Sequence, residues 1–297
     1  MSGVNTPVVA GVDGSESALH AVRWAALEAR RRHAGLRLVH AFGIPVGYAP
    51  GFVDWHALHE AVVAQGRTWL DEARKAAEET VPGLAVELVE VKAGSVPVLL
   101  KESAHAALVV LGTRGLGGFT GLVIGSTAVE VAAHAHCPVV VVRGADTGTG
   151  PVVVGVDGTP VGEAAIAFAF AQASTLGTDL VAVHTWTDLI LEAAFAGGAT
   201  ALDFAPLAQE AEEVLGERLA GWQEKYPDVP VSRHVSRERA AKALLRHAEH
   251  AQLLVVGTRG RGGFRGLLLG STSQHLLHHA PCPVAVVPTA APQDEQP

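Results

Sequence analysis

The sequence predicts two α/β domains in tandem, each a doubly wound parallel sheet with helices on both faces. Two observations predict this architecture. Segments of the first half recur in the same order in the second half, and within each half short apolar runs alternate with longer stretches of helical periodicity. Strands that alternate with helices favour a parallel sheet covered on both faces. Right-handed crossovers then bring ligand sites to the carboxyl ends of the strands, where the strand order reverses.

The repeat sets the domain boundaries. The run VVAGVDGS, which ends at Ser15, recurs as VVVGVDGT ending at Thr159; LVHA recurs as AVHT, VLGTRG as VVGTRG, and each half closes on Cys-Pro-Val. The repeated unit spans about half of the chain, which is the length of a domain and far longer than a solenoid repeat. The segments between and after the copies are polar and contain glycine or proline, as linkers and frayed tails do. We therefore predict domains over residues 1–143 and 152–288, a linker over 144–151 and a disordered tail over 289–297.

Each element of the first half follows from a local pattern. Val8–Val12 is a continuous apolar run typical of a buried strand, and Ser15–His33 then places alanine and valine at helical spacing. The further predictions, in chain order, are a strand over Leu36–Phe42, a helix over His56–Thr80, a strand over Leu84–Val91, a helix over Val98–His105, a strand over Leu108–Leu111, a helix over Ser126–His134 and a strand over Pro138–Val142. The second half repeats this order, and Thr159 before Pro160 predicts the N-cap and first residue of its first helix.

Composition limits the classes of function. Of the 297 residues, 48% are hydrophobic and 18% charged, enough apolar residues for two cores. The net charge of −8 argues against nucleic-acid binding, which needs clustered lysine and arginine. No signal segment follows Met1 and no apolar run is long enough to cross a bilayer, so we expect a cytoplasmic protein with no membrane partner. Cys137 and Cys282 occupy matching positions, which favours two buried strand-entry residues over a disulfide.

The glycine-rich segment after the fourth predicted strand carries the main functional signal. It reads GTRGLGGFTGLVIGST from Gly112 to Thr127, and GTRGRGGFRGLLLGST from Gly257 to Thr272. Glycines let main-chain N–H groups approach a ligand, and the Gly-Ser-Thr end places free N–H groups at a helix N-terminus, where the dipole favours anions. A capped surface turn would explain one such loop alone; the matched glycines of both halves favour a phosphate-binding loop. Neither loop contains the Gly-Lys-Ser/Thr of a Walker motif.

Acidic and imidazole side chains give two further hypotheses. Asp13 and Asp157 end the first strand of each half, where a carboxylate can accept from ribose hydroxyls or help to hold Mg²⁺. The alternative is a helix N-cap, for which Ser15 and Thr159 are better placed. The paired histidines His134/His136 and His278/His279 lie at helix ends and complement the helix dipole, without a tetrahedral ligand set, so we predict no metal-ligand cluster there. The tryptophans Trp24, Trp69, Trp186 and Trp222 are interpreted as core or interface residues.

The spacing Gly-x2-Gly-x9-Gly-Ser/Thr at Gly112, Gly115 and Gly125, repeated in the second half, resembles that of the ATP-binding universal stress protein family. The Gly-Val-Asp-Gly opening and the closing Cys-Pro-Val strand support the likeness, which covers each half once. The resemblance implies a Rossmann-like, five-stranded parallel sheet and one adenine nucleotide, ATP with Mg²⁺, in each half. It also suggests that the last strands, Val139–Val142 and Val284–Val287, mediate domain pairing or dimerisation, and we expect a homodimer.

The resemblance also implies the site residues. In the first half they are Gly11, Asp13, Ala41, Gly112, Thr113, Arg114, Gly115, Gly117, Gly118, Gly125, Ser126 and Thr127. In the second half they are Gly155, Asp157, Thr185, Gly257, Thr258, Arg259, Gly260, Gly262, Gly263, Gly270, Ser271 and Thr272. Ala41 and Thr185 are expected to meet adenine through the main chain.

Function then follows as an expectation: a nucleotide-dependent regulator in stress response or growth control, with an unidentified protein partner. The alternative is a slow ATPase or nucleotidyl-transfer enzyme on the same fold. The loops lack an evident general base, a Walker lysine and a second acidic metal cluster, so no catalytic residue is assigned. Arg259, Arg261 and Arg265 in the second loop, against Arg114 in the first, predict a steeper salt dependence of binding in the second half.

Overall fold

The computed structural model of the chain describes residues 6–43, 55–115, 124–143, 148–186, 205–260 and 269–289. It divides into two compact units, residues 1–142 and 143–297. Within the described residues, no helix combines the length and the apolar character that crossing a membrane requires.

The first unit alternates strands and helices along the chain. Its elements are β1 (Val8–Gly11), α1 (Glu16–Arg31), β2 (Leu36–Ala41), α2 (Trp55–Thr80), β3 (Val86–Val91), α3 (Ser95–Ser103), β4 (Leu108–Gly112), α4 (Ser126–His134) and β5 (Val139–Val142). The strand order is β3-β2-β1-β4-β5, and each pair is parallel. Helix α1 packs on α2 and α3 packs on α4, which gives the sheet its two helical layers.

The second unit repeats this architecture. Its elements are β6 (Val152–Val156), α5 (Glu163–Leu176), β7 (Leu180–Thr185), α6 (Ala205–Lys225), β8 (Val231–Ser236), α7 (Ala240–Ala248), β9 (Leu253–Gly257), α8 (Ser271–His279) and β10 (Val284–Val287). The strand order is β8-β7-β6-β9-β10, again parallel throughout. The predicted fold class, two tandem five-stranded parallel sheets with helices on both faces, is confirmed.

Burial explains why the central strands read as unbroken apolar runs. The side chains of β5 and β10 are buried along their whole length, as are the first four residues of β4 and β9. Strands covered by helices on both faces have no solvent-facing side, so alternation with polar residues disappears. The edge strand β3 differs: none of its residues is buried, and Glu87 and Glu90 stand among its valine and leucine residues.

Many predicted boundaries differ from the observed ones by one to three residues, and three of the differences have a local explanation. The strand predicted from Leu84 begins at Val86, because the Leu84 amide donates to the Val81 carbonyl in a turn. The helix predicted from Val98 begins at Ser95, after Gly94 as N-cap. Thr159 does not cap α5: a short 3-10 turn, Pro160–Gly162, comes between them, and the Thr159 hydroxyl bonds to a carboxylate instead.

Candidate functional site

The strand order reverses between β1 and β4 in the first unit, and this point brings the predicted site residues together. The two strands pair in parallel, with Ala10 opposite Val110, so the residues that follow them share one edge of the sheet. A Cβ on Gly115 would lie 2.3 Å from Asp13 Oδ2. A Cβ on Gly112 would lie 2.5 Å from the Ser17 hydroxyl. The loop after β4 therefore packs directly on the turn after β1, and at Gly112 a side chain would also clash with the backbone of Ser17.

Hydrogen bonds hold the turn and the loop in register. The Ser17 hydroxyl donates to the Arg114 carbonyl, and the Arg114 amide donates to the same hydroxyl at 3.2 Å. Asp13 Oδ1 accepts from the Ser15 amide at 3.0 Å. The Ser15 hydroxyl lies 2.7 Å from Asp13 Oδ1 and accepts from the Ala18 amide, so Ser15 is the N-cap of α1. Asp13 is thus outside the helix, with its second oxygen, Oδ2, beside Gly115.

Helix α4 begins at the same edge with amides that have no acceptor within the helix. The Gly125 amide donates to the Thr113 carbonyl at 2.7 Å, which closes the loop, and the first helical bond runs from Val129 to the Gly125 carbonyl. The amides of Ser126, Thr127 and Ala128 precede that bond and have no acceptor within the helix. Glycine at the N-cap position cannot cap them, and α4 has no side-chain cap. This arrangement is typical of an anion site, because the helix dipole adds to the three donors.

The second unit builds a matching edge with looser contacts. Asp157 Oδ1 accepts from the Thr159 amide at 2.8 Å and from the Thr159 hydroxyl at 2.9 Å. A Cβ on Gly260 would lie 3.4 Å from Asp157 Oδ2, an ordinary contact distance. The Gly270 amide closes the loop on the Thr258 carbonyl at 2.8 Å, and α8 likewise has no side-chain cap. The amides of Ser271, Thr272 and Ser273 are thereby left without an acceptor in the helix.

A buried histidine ties the first strand of each unit to the second. His40 Nδ1 lies 2.7 Å from the Val12 carbonyl, and His184 Nδ1 lies 2.6 Å from the Val156 carbonyl. A carbonyl only accepts, so Nδ1 carries the hydrogen in both rings. Each bond anchors the residue directly before Asp13 or Asp157. These histidines belong to the LVHA and AVHT repeats, and their equal spacing of 28 residues from the bonded valine is a signal that the sequence analysis did not use.

Aromatic side chains distinguish the first site from the second. A Cβ on Gly14 would lie 2.3 Å from the indole of Trp69, and that indole meets His40 edge-on with ring centroids 5.4 Å apart. Trp69 is half-buried, so the prediction of a core or interface residue missed its position over the turn after β1. In the second unit an arginine contacts the equivalent turn, since Arg218 Nε donates to the Gly158 carbonyl at 3.1 Å.

Most of the predicted site residues lie at these two edges. Ala41 and Thr185 end β2 and β7 and are half-buried. Gly11 is also explained by packing, because a Cβ there would lie 2.7 Å from the Leu111 side chain. Arg114 and Arg259 are exposed. The predicted residues outside the described part of the chain are Gly117, Gly118, Gly262 and Gly263, together with Arg261 and Arg265.

The cysteines and histidines outside the two edges have structural roles. Cys137 and Cys282 are free and buried, which confirms that they form no disulfide, and burial raises the pKa of each thiol to about 12. His134 Nδ1 bonds to the Glu130 carbonyl at 2.9 Å, one helical turn back. Within the described residues, no group of three or more histidine, cysteine, aspartate or glutamate side chains could hold a metal ion.

Comparison with known proteins shows which family this chain is similar to. The model of the universal stress protein family matches residues 5–143 and again 149–288. A universal stress protein of Mycobacterium tuberculosis is 39% identical over 295 residues, covering 94% of this chain and 95% of that protein. A second one from the same organism is 42% identical over 291 residues, covering 94% and 96%. The crystal structure of a universal stress protein from Archaeoglobus fulgidus superimposes with a TM-score of 0.69 at 18% identity, over 96% of this chain and 98% of that one, a likeness of fold.

Proposed function

Because this chain belongs to the universal stress protein family, we propose that it is a nucleotide-dependent regulator that binds one adenine nucleotide, ATP with Mg²⁺, in each half. The first site comprises Asp13, the loop that begins at Gly112 and the N-terminus of α4. The second site comprises Asp157, the loop that begins at Gly257 and the N-terminus of α8.

One observation carries this proposal: a carboxylate and three helix amides without an intrahelical acceptor share the sheet edge at the reversal of strand order. The Ser126, Thr127 and Ala128 amides are the donors for phosphate oxygens in the first site, and the helix dipole favours the negative charge. Ligands of open α/β sheets bind at this reversal. The close approach of Gly115 to Asp13 supports a loop whose main chain must reach the ligand without side chains in the way.

The residues fit a nucleotide with its metal ion. Asp13 Oδ2 faces the loop side of the turn, while Oδ1 is engaged by Ser15. Asp13 and Asp157 would each hold Mg²⁺ together with phosphate oxygens, and the ion would neutralise phosphate charge that the loops balance without a Walker lysine. The main chain at Ala41 and Thr185 would contact adenine, at the ends of the neighbouring strands.

Regulation is proposed in preference to catalysis. Phosphoryl transfer needs a residue that positions or deprotonates the nucleophile. Among the described residues of both sites, Asp13 and Asp157 are the acidic groups, and each already accepts hydrogen bonds from the turn that follows it. Nucleotide occupancy would instead order the loop and alter a surface read by another protein in the cytoplasm, with copies of the chain associating through β5 or β10 into a homodimer.

The test is calorimetry on protein stripped of nucleotide, with Mg·ATP as titrant. We expect two ATP per chain, and one per chain in each of Asp13→Asn and Asp157→Asn. Asp71→Asn, an exposed acidic change on α2, is the matched control and should keep both sites. Absence of ATP binding would reject the proposal. ADP that accumulates over hours with the wild-type chain, and not with the Asp13→Asn/Asp157→Asn double variant, would establish the slow ATPase in place of the pure regulator.

A further inference from the structure

The second unit contains a cleft of about 460 Å³ between α5 and α6, next to the turn after β6, because Arg218 lines the cleft and bonds to the Gly158 carbonyl. Glu163 from α5 and five residues of α6 line it: Glu217, Arg218, Gly221, Trp222 and Lys225. A volume of this size is within the range of small-molecule sites. The cleft combines two acidic groups, two basic groups and one indole.

The first unit has a closed seam at the equivalent place. Pro82 before β3 is equivalent to Pro227 before β8. Counting back from these prolines, the positions of Arg218, Gly221 and Trp222 correspond to three alanines in the first unit: Ala73, Ala76 and Ala77. All three are buried, at 0%, 6% and 0% exposure. Alanine lets two helices approach closely, whereas an arginine and a tryptophan cannot enter the same seam. The cleft of the second unit thus lies where arginine, glycine and tryptophan stand in place of the three buried alanines of the first unit.

Contacts hold Glu163, Trp222, Arg218 and Lys225 in place. The Trp222 indole N–H donates to Glu163 Oε1, and Lys225 Nζ lies over the same ring, 5.0 Å from its centroid. Arg218 Nε donates to the Gly158 carbonyl at 3.1 Å, which uses one of the five N–H groups of the guanidinium. Gly221 leaves room beside them, because a Cβ on it would meet nothing within 4 Å.

The charges select the ligand class. A simple anion would be attracted by Arg218 and Lys225 but opposed by Glu163 and Glu217, and a simple cation would meet the reverse. A molecule with one carboxylate and one ammonium group satisfies both sets at once. We propose that this cleft binds a free α-amino acid, with its carboxylate on the Arg218 guanidinium, its ammonium group on Glu217 and its side chain against Trp222.

A three-part ligand comparison tests the charge argument. The twenty amino acids are screened by calorimetry against nucleotide-free full-length protein, so that the result does not depend on the proposed ATP sites. The strongest binder is then compared with its decarboxylated amine and its deaminated acid. We expect the amino acid to bind at least tenfold more tightly than either analogue. No measurable binding by any amino acid, or equal binding of an analogue, would overturn the proposal.

Two substitutions locate the site. Gly221→Leu fills the cleft on an exposed stretch of helix, where leucine also favours helix over glycine, and it should abolish amino-acid binding. Glu224→Leu, an exposed change on the same helix that does not line the cleft, is its matched control and should leave binding unchanged. Binding that survives Gly221→Leu would place the amino acid elsewhere and reject the cleft.

Discussion

At the scale of single residues, Gly115 and Gly260 are equivalent in sequence but differ in the space around them. A Cβ on Gly115 would lie 2.3 Å from Asp13 Oδ2, whereas one on Gly260 would lie 3.4 Å from Asp157 Oδ2. The carboxylate of Asp13 cannot simply swing away, since Oδ1 is held by the Ser15 amide. The two glycines are therefore expected to respond differently to the same small change.

We predict that Gly115→Ala raises the Kd of the first site for Mg·ATP at least tenfold, about 1.4 kcal/mol, because the new methyl group displaces Asp13. Gly260→Ala should change the Kd of the second site by less than about threefold, well under 1 kcal/mol. Calorimetry on each variant measures this. The control is Gly221→Ala, where the methyl group meets nothing within 4 Å; it should leave both sites intact. Equal losses from both loop substitutions would contradict the steric argument.

The two thiols give a second prediction at this scale. With the pKa of Cys137 and Cys282 raised to about 12 by burial, the thiolate fraction at pH 8 is about 10⁻⁴, against about 10⁻¹ for a thiol of pKa 9. Alkylation of the native protein should be on the order of a thousandfold slower than that of the urea-unfolded chain. Mass spectrometry after timed labelling measures both rates. Labelling at the rate of a free thiol would show that the segments around Cys137 and Cys282 open readily to the reagent.

At the scale of the element, the C-terminal turn of α8 carries a histidine cluster that links stability to pH. Burial lowers the pKa of His278, and His279, Arg143 and His275 lower it further. The unfolded chain, with a histidine pKa near 6.5, then binds more protons than the native one. The contribution of His278 to the free energy of unfolding is therefore fully present above pH 6.5. It is lost as the pH falls toward the lowered pKa of His278. Burial and the neighbouring His234 lower the pKa of His247 in α7 in the same direction.

We predict that the thermal midpoint of the second unit falls between pH 6.5 and pH 5, and that His278→Gln reduces this fall. The double variant His247→Gln/His278→Gln should reduce it further. Calorimetric scans at half-unit pH steps provide the measurement. His250→Gln, an exposed histidine of the same unit, serves as control and should keep the wild-type slope. If the thermal midpoint of the double variant falls with pH as steeply as that of the wild type, groups other than these two histidines cause the pH dependence.

The loops themselves carry a further prediction, from the arginine content of the second one. The Kd of the second site should rise more steeply with salt than that of the first, because added arginines attract phosphate through screened charge interactions. Titrations of Asp157→Ala and Asp13→Ala isolate the first and second site in turn, each at two salt concentrations. Identical slopes would reject a role for the extra arginines.

Element prediction from sequence succeeded where local and tertiary signals agree. The helix Ser126–His134 was predicted with its observed bounds, because a glycine N-cap and the following Cys-Pro both interrupt helical periodicity. It failed at Thr159, where the hydroxyl bonds to Asp157 instead of the helix that follows. The bond of the Thr159 hydroxyl depends on where the fold places the Asp157 carboxylate. The place of Trp69 over Gly14, and the cleft beside Trp222, depend on how helices pack, which periodicity alone does not encode.

At the scale of the whole molecule, each unit has a complete sheet with helices on both faces and its own buried strands. The described residues of each proposed site also belong to one unit. Domains of this kind have a free energy of unfolding of about 5–15 kcal/mol.

We therefore predict that residues 1–142 and residues 143–297, expressed separately, each fold and each bind one Mg·ATP. Circular dichroism during heating should show cooperative unfolding of both fragments, and calorimetry should give a stoichiometry near one. The intact chain, with two sites, is the reference. A fragment that stays unfolded, or binds only when the other is added, would mean that the halves depend on each other.

The hydrogen bond from the Gly125 amide to the Thr113 carbonyl has a consequence for how such proteins diversify. This bond joins the two ends of the glycine-rich segment, and the bond from the Gly270 amide to the Thr258 carbonyl does the same in the second unit. The end of the strand and the start of the following helix are thereby held together independently of the sequence of the segment. Lengthening a closed segment of this kind adds only a slowly rising entropic cost. The enclosed stretch can thus vary in sequence, and the two halves already differ within it: Leu116 and Thr120 in the first half stand where the second half has Arg261 and Arg265.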